Sequence, residues 1–142
     1  MGRKKELIVT AGGKKIVPEN IENKLKASAH IAQAVLVGEG KPYCAAILTL
    51  NEECVRAHFR ALGIELGQEY YRDRRVRDQI WREVEEINKG LASFETVKKV
   101  YIAPEEFTVE NGFLTPTFKI KRKTVTSRYF NEIESLYSAS EA

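Results

Sequence analysis

Apolar residues along this chain alternate between two spacings. Short β-type runs at Leu7-Ile8-Val9 and Ile16-Val17 flank Ala11-Gly12-Gly13-Lys14, a pattern that predicts a tight β-hairpin. Pro18 suits the first turn of a helix, and Ile21 and Leu25, four apart, give that helix one apolar face. Residues 34–38 and 43–50 read as two further strands separated by the turn-forming Gly38-Glu39-Gly40-Lys41-Pro42. Asn51 ahead of Glu52 and Glu53 predicts an N-capped helix that stops at Gly63, with Val55, Phe59 and Leu62 as its buried stripe. Val76, Ile80, Val84, Ile87 and Leu91 keep a three-or-four spacing over a longer helix. A strand at 97–103 follows, and Asn111-Gly112 predicts a turn joining Thr108-Val109 to Phe113-Leu114. A last helix, about residues 123–137, would bury Val125, Tyr129, Ile133 and Leu136. The sum is an α+β domain: a small, mostly antiparallel sheet with an N-terminal β-hairpin and helices packed against it.

Composition narrows the class. A chain of 142 residues suits a single domain, 1–142, and hydrophobic residues at 43% with charged residues at 30% are ordinary for a globular one. No apolar run approaches the ~18 residues of a membrane span, so no transmembrane segment is expected. Cys44 and Cys54 match neither a disulfide framework nor a zinc-ligand spacing, which predicts buried thiols in a reducing, cytoplasmic setting. Cys54 falls in the first turn of a helix, yet with no neighbouring His or second Cys it reads as structural. His30 and His58 have no partner at catalytic or metal spacing, and no metal site is predicted. The net charge of +3 is mild, and the arginines between Tyr71 and Arg77 are interleaved with acids as on a solvated helix face. Lys119 to Arg128 differs, carrying five positive charges and no negative one.

Two stretches carry chemistry. In GRKKELIVTAGGKKIVPENIE, Gly2 to Glu22, the paired Gly12-Gly13 either satisfies positive φ in the hairpin or lets a ligand pass close to the backbone. In LTPTFKIKRK, Leu114 to Lys123, Pro116 and Thr117 present Lys119 on an exposed segment, where a lysine can hold phosphate or carboxylate as a mobile point charge. The plain alternative is a polar loop with solvated lysines. Residue physics leaves both choices open.

Together the two stretches resemble the C-terminal domain of the AMP-forming acyl-CoA synthetases, the adenylating superfamily, in the form of its long-chain fatty acid branch. The first is similar to that family's hinge motif and the second to the late motif that carries its catalytic lysine. Because the hinge-like stretch opens the chain, the resemblance implies a domain detached from a large N-terminal AMP-binding domain. Carried over by position, Arg3 would hold the ribose and phosphate region of the adenylate, Lys5 would be the hinge, and Gly12 would line the pantetheine channel. Lys14 falls where relatives place a basic residue near the CoA phosphates. Lys119 aligns with the catalytic lysine and is preferred to Lys121, because Thr117 before it and Ile120-Lys121-Arg122 after it keep the family's spacing. Short-chain relatives often have glycine just before that lysine; here Phe118 stands there.

The resemblance implies ATP-dependent activation of a fatty acid to an acyl-adenylate, then thioester formation with CoA. ATP and CoA would be substrates, with Mg2+ and the acyl tunnel in the large domain of the same polypeptide, through which the enzyme could also meet a membrane surface. Two other classes are set beside it: a non-catalytic interaction or regulatory module of the same fold, and a basic nucleic-acid-binding domain. The second lacks aromatic residues interleaved along the basic run, so no nucleic acid is expected as a partner.

Overall fold

Residues 7–138 are described by a computed structural model of the chain. The hairpin forms as the glycine pair predicts, with β1 (Ile8–Val9) antiparallel to β2 (Lys15–Ile16). α1 (Pro18–Leu25) begins on its proline and buries Ile21 and Leu25. β3 (Ile31–Val37) starts three residues earlier than expected, because its pairing with β4 (Cys44–Leu50) extends past a bulge to join Ile31 to Leu50. α2 (Glu52–Arg60) is capped by Asn51, whose side chain accepts from the Cys54 N–H. α3 (Arg74–Asn88) follows, and the Asn88 amide then bonds both backbone groups of Val97 to launch β5 (Val97–Ile102). The chain ends in α4 (Arg122–Arg128) and α5 (Phe130–Ser138).

Several expectations are corrected. Leu62 lies beyond the end of α2 and is exposed, so that helix's stripe is Val55 and Phe59. Leu91 likewise lies past α3, half-buried at the edge of the core. No hairpin forms around Asn111-Gly112. The Asn111 side chain instead accepts from Thr108 N–H and donates to the Glu106 carbonyl, so it closes a local turn and competes with strand pairing. The final helix is interrupted at Tyr129, whose backbone leaves helical geometry (φ −107°, ψ 26°) and separates α4 from α5.

The three-stranded sheet has the order β3-β4-β5. β3 and β4 are antiparallel, with Val35 opposite Ile47, whereas β4 and β5 are parallel, with Ile47 opposite Tyr101. A parallel pair needs a long crossover, and α2 and α3 supply it. All of β4 is buried, which explains why 43–50 reads as a continuous apolar run without alternation. Its Cys44, Ala46 and Leu48 join one core with α1, α2 and α3. Its Ala45 and Ile47 face a second core made with Phe107, Phe113, Val125, Tyr129 and Ile133. Gln33 fastens the segment before α4 to that second face: its side chain accepts from Thr49 Oγ1 and Phe107 N–H and donates to the Phe107 carbonyl.

One largely buried ion pair, between buried Glu22 and half-buried Arg122, joins distant parts of the chain. Arg122 reaches both carboxylate oxygens of Glu22, at 2.6 and 3.1 Å, and also donates to the Leu36 carbonyl at 3.1 Å. Glu22 in turn accepts the Leu36 N–H at 2.7 Å. The start of α4 is thereby clamped to α1 and β3. Removing one partner of such a pair strands the other's charge, so Glu22→Ala is expected to cost about 3 kcal/mol, read as a lower urea midpoint of unfolding. Lys41→Ala, which breaks the more exposed pair with Glu134, should cost under about 1 kcal/mol.

A second polar cluster ties the α1–β3 connection to α3. Glu83 accepts from Ser28 Oγ, from Gln79 at 2.8 Å and from His30 Nδ1 at 2.6 Å, so His30 has a partner that sequence spacing did not show. Burial alone would raise the Glu83 pKa, but the bonds from Gln79, Ser28 and His30 outweigh it and hold the carboxyl below its ordinary 4.5. A carboxylate depressed in the folded state stabilises above its unfolded pKa, and that contribution disappears as pH falls through the folded value. Glu83→Gln is therefore expected to lower Tm at neutral pH and to flatten the acid limb of a thermal-unfolding series between about pH 7 and pH 3.

Candidate functional site

The hairpin loop and the lysine-bearing loop use one backbone solution. In Thr10–Lys14, Gly13 N–H donates to the Thr10 carbonyl at 2.9 Å, Thr10 N–H donates to the Lys14 carbonyl at 3.0 Å, and Lys14 N–H donates to Thr10 Oγ1 at 3.2 Å. In Thr115–Lys119 the same bonds recur: Phe118 N–H to the Thr115 carbonyl at 2.7 Å, Thr115 N–H to the Lys119 carbonyl at 2.8 Å, and Lys119 N–H to Thr115 Oγ1 at 3.1 Å. Each is a three-residue loop of the type that ends on a left-handed residue. That residue is Gly13 at φ 86° in one and Phe118 at φ 66° in the other. Pro116 occupies the second position of its turn, where its fixed φ is favourable. In both loops a threonine hydroxyl anchors the backbone of the lysine that follows, and the lysine side chain is exposed. The repetition is invisible in one-dimensional spacing, although the shared T-x-x-x-K pattern is its trace.

The glycine pair divides its duties. Gly13 supplies the left-handed conformation. Gly12 does not, and a Cβ added there would meet nothing within 4 Å. The backbone does not need Gly12, and the space beside its Cα is open. Lys14 is exposed on the same loop, its Nζ 5.5 Å from the centre of the half-exposed Phe94 ring.

Each loop is held at its base. The hairpin is tied to the 38–41 turn by bonds from Gly40 N–H to the Val9 carbonyl and from Ala11 N–H to the Lys41 carbonyl, both 2.9 Å. Lys41 continues to Glu134 of α5 at 3.1 Å. The lysine loop is closed by a bridge between Leu114 and Ile120 and by Lys121 N–H on the Phe113 carbonyl at 2.8 Å, and it runs directly into Arg122. Of the five cations in this run, Arg122 turns inward to Glu22 and Arg128 stacks on Tyr129, while Lys119, Lys121 and Lys123 face solvent. A cavity of about 560 Å3 lies between Leu36, Arg122, Phe130 and Tyr137, but neither Lys119 nor Gly12 lines it.

The other sequence-level candidates divide clearly. Arg3 and Lys5 lie outside the described residues. Cys44 is buried, and that burial together with Glu95 pushes its thiol up to about 11, which removes it as a nucleophile. Cys54 is only half-buried, against the expectation that both thiols are enclosed. Among the described residues there is no group of three or more His, Cys, Asp or Glu placed to hold a metal ion. None of the described helices is long and apolar enough to cross a membrane. Arg122, counted within the basic run, proves to be a structural ion-pair residue; nothing local could have revealed a partner one hundred positions away.

Residues 5–141 match the family described as AMP-binding enzyme C-terminal domain. The long-chain-fatty-acid–CoA ligase FadD15 of Mycobacterium tuberculosis is 37% identical over 141 residues, covering 96% of this chain and 23% of its own length. Long-chain-fatty-acid–CoA ligase 5 of Mus musculus is 33% identical, covering 98% of this chain and 21% of its own. The chain thus spans about a fifth of the length of these relatives. Among solved structures, the A domain of the Segniliparus rugosus carboxylic acid reductase, in complex with AMP and a carboxylic acid, superposes with a TM-score of 0.76 at 22% identity, over 94% of this chain and 20% of that one.

The division between the two glycines predicts unequal costs. Gly13→Ala forces a Cβ into the left-handed region and should destabilise the chain by about 1 kcal/mol in urea titration. Gly12→Ala should change stability by less than about 0.5 kcal/mol.

Proposed function

Because the chain belongs to the AMP-binding enzyme C-terminal domain family, we propose that it is the mobile C-terminal domain of a long-chain fatty acid–CoA ligase and that Lys119 is its adenylation lysine. The observation that carries this reading is the lysine loop: a side chain left free in solvent on a backbone anchored by Thr115, the Leu114–Ile120 bridge and the Glu22–Arg122 clamp. The relatives are named long-chain-fatty-acid–CoA ligases and the family is described as AMP-binding, and the reaction assigned in this reading is consistent with both. A fatty acid carboxylate attacks the α-phosphorus of ATP, the bond to pyrophosphate breaks, and acyl-adenylate forms. Charge develops on the reacting oxygens, and a lysine ammonium delivered to them stabilises the transition state once water is excluded.

Thioester formation requires a different surface. The CoA thiol attacks the acyl carbonyl and AMP departs, and in this reading the Gly12 side of the hairpin lines the pantetheine path while Lys14 approaches the CoA phosphates. Rotation about Lys5 would exchange the two loops, with Arg3 on the adenylate; domain closure is then used once for each half-reaction. The fatty acid pocket, the adenine site and the Mg2+ that accompanies ATP belong to the AMP-binding domain in this reading, and the compartment assigned to the enzyme is the cytoplasm. A non-catalytic module of the same fold would have no use for Gly12, where the backbone does not ask for glycine.

Separate assays of the two half-reactions test it, in a ligase carrying this chain behind its AMP-binding domain. Lys119→Ala is expected to lower ATP–pyrophosphate exchange by about a hundred- to thousand-fold. The same variant, given preformed acyl-adenylate and CoA, should still make acyl-CoA at a near-normal rate. Lys121→Ala should have little effect on either step, and Gly12→Leu should impair thioester formation selectively. Equal loss of both steps in Lys119→Ala, or a larger loss in Lys121→Ala, would overturn the assignment. The 142-residue chain alone should show no exchange activity.

A further inference from the structure

Phe118 is the one non-glycine residue with positive φ among the described residues, at 66°, and the residue is 73% exposed. Each property is unfavourable by itself. A side chain with a Cβ strains the left-handed region, and a phenyl ring in water gains nothing from burial. The chain also contains its own control. The Thr10–Lys14 loop makes the same three hydrogen bonds with Gly13 at the equivalent position. The turn therefore does not require an aromatic residue; glycine closes it without strain.

We propose that Phe118 is a docking anchor: its ring enters an apolar socket on the AMP-binding domain in the adenylate-forming pose and so seats Lys119 at the reacting phosphate. This rests on the functional reading above. The occupant follows from adjacency and length. Phe118 and Lys119 are consecutive and both exposed on one turn, so a surface that Lys119 approaches comes within reach of the ring. The relatives, with about four-fifths of their length outside the matched segment, carry a body large enough to supply that surface. A phenyl ring with two side-chain torsions is ordered at little entropic cost, which suits an anchor placed beside a flexible lysine. Phe118 acts through Lys119 and is a positioning residue, not a catalytic one.

The test sets stability against activity. In the 142-residue chain, Phe118→Gly relieves the strain and should raise Tm by roughly 2–5 °C. In the ligase carrying this domain, the same change should lower kcat/KM for ATP–pyrophosphate exchange by about tenfold or more, as truncation of an interface anchor does, and leave acyl-CoA formation from preformed adenylate within about twofold of the parent. Phe118→Leu, which restores apolar bulk, should recover most of the exchange rate. A residue that merely held the loop together would lose stability and activity in step. The anchor is overturned if Phe118→Gly exchanges at the parental rate, if both half-reactions fall equally, or if Tm does not rise. It is also overturned if the parent chain binds vesicles of phosphatidylglycerol and phosphatidylcholine and Phe118→Gly abolishes that binding, because the ring's partner is then a lipid surface. If Lys119→Ala abolishes exchange while Phe118→Gly is neutral, the anchor fails and the ligase reading stands; if Lys119→Ala is neutral, the ligase reading fails as well.

Discussion

The bidentate pair between Glu22 and Arg122 is the constraint on which the arrangement of both loops depends. Desolvating two opposite charges is expensive, and an ion pair offsets that cost only when its remaining donors and acceptors are also met. Here Leu36 supplies its N–H to the carboxylate and its carbonyl to the guanidinium, so the pair is completed by the backbone of β3. The three elements it joins are the helix that follows the hairpin, a strand of the central sheet and the helix that follows Lys119. A change of angle in any of them would open the set. The hairpin and the lysine loop therefore keep a constant relation to one another.

The sheet reinforces this. With helices α1 to α3 on one face and the 103–120 segment with α4 and α5 on the other, β4 is enclosed on both sides. Such a centre tolerates little local shear, because close-packed interiors rearrange in steps and do not deform smoothly. The hairpin is joined to this body by short backbone bonds to the 38–41 turn, and α5 by Lys41 and by the Tyr137 hydroxyl on the Tyr43 carbonyl. In the ligase reading, such a body is suited to moving as one piece between half-reactions.

Elements whose causes are local were legible in the sequence. Asn51 caps its helix, Pro18 starts another, and the hairpin around Gly12-Gly13 forms where turn chemistry places it. Features set by partners far along the chain were not. The parallel pairing of β5, the Glu22–Arg122 clamp and the His30–Glu83 bond each join residues about fifty or more positions apart, and no periodicity encodes them. Asn111-Gly112 misled because an asparagine side chain can close a turn by bonding its own backbone neighbourhood as readily as it can start a hairpin. The break at Tyr129 arises within a continuous apolar stripe, so spacing alone ran the two helices together. At the candidate site, Gly12 and Lys119 stood out by residue type and Lys14 by resemblance, and their roles were assigned through resemblance of motifs; the paired threonine-anchored turns that hold them became visible only in three dimensions.

Those turns fix the lysines at their roots and leave their tips alone. Threonine holds the backbone N–H of Lys14 and of Lys119, while four methylenes beyond each Cα keep their torsional freedom. Each charge is a tethered one, certain at its point of attachment and undecided within a small sphere of reach. In the ligase reading, the last few ångströms would then be chosen by the anion that arrives, and phosphates in different positions would be met without any rearrangement of the fold.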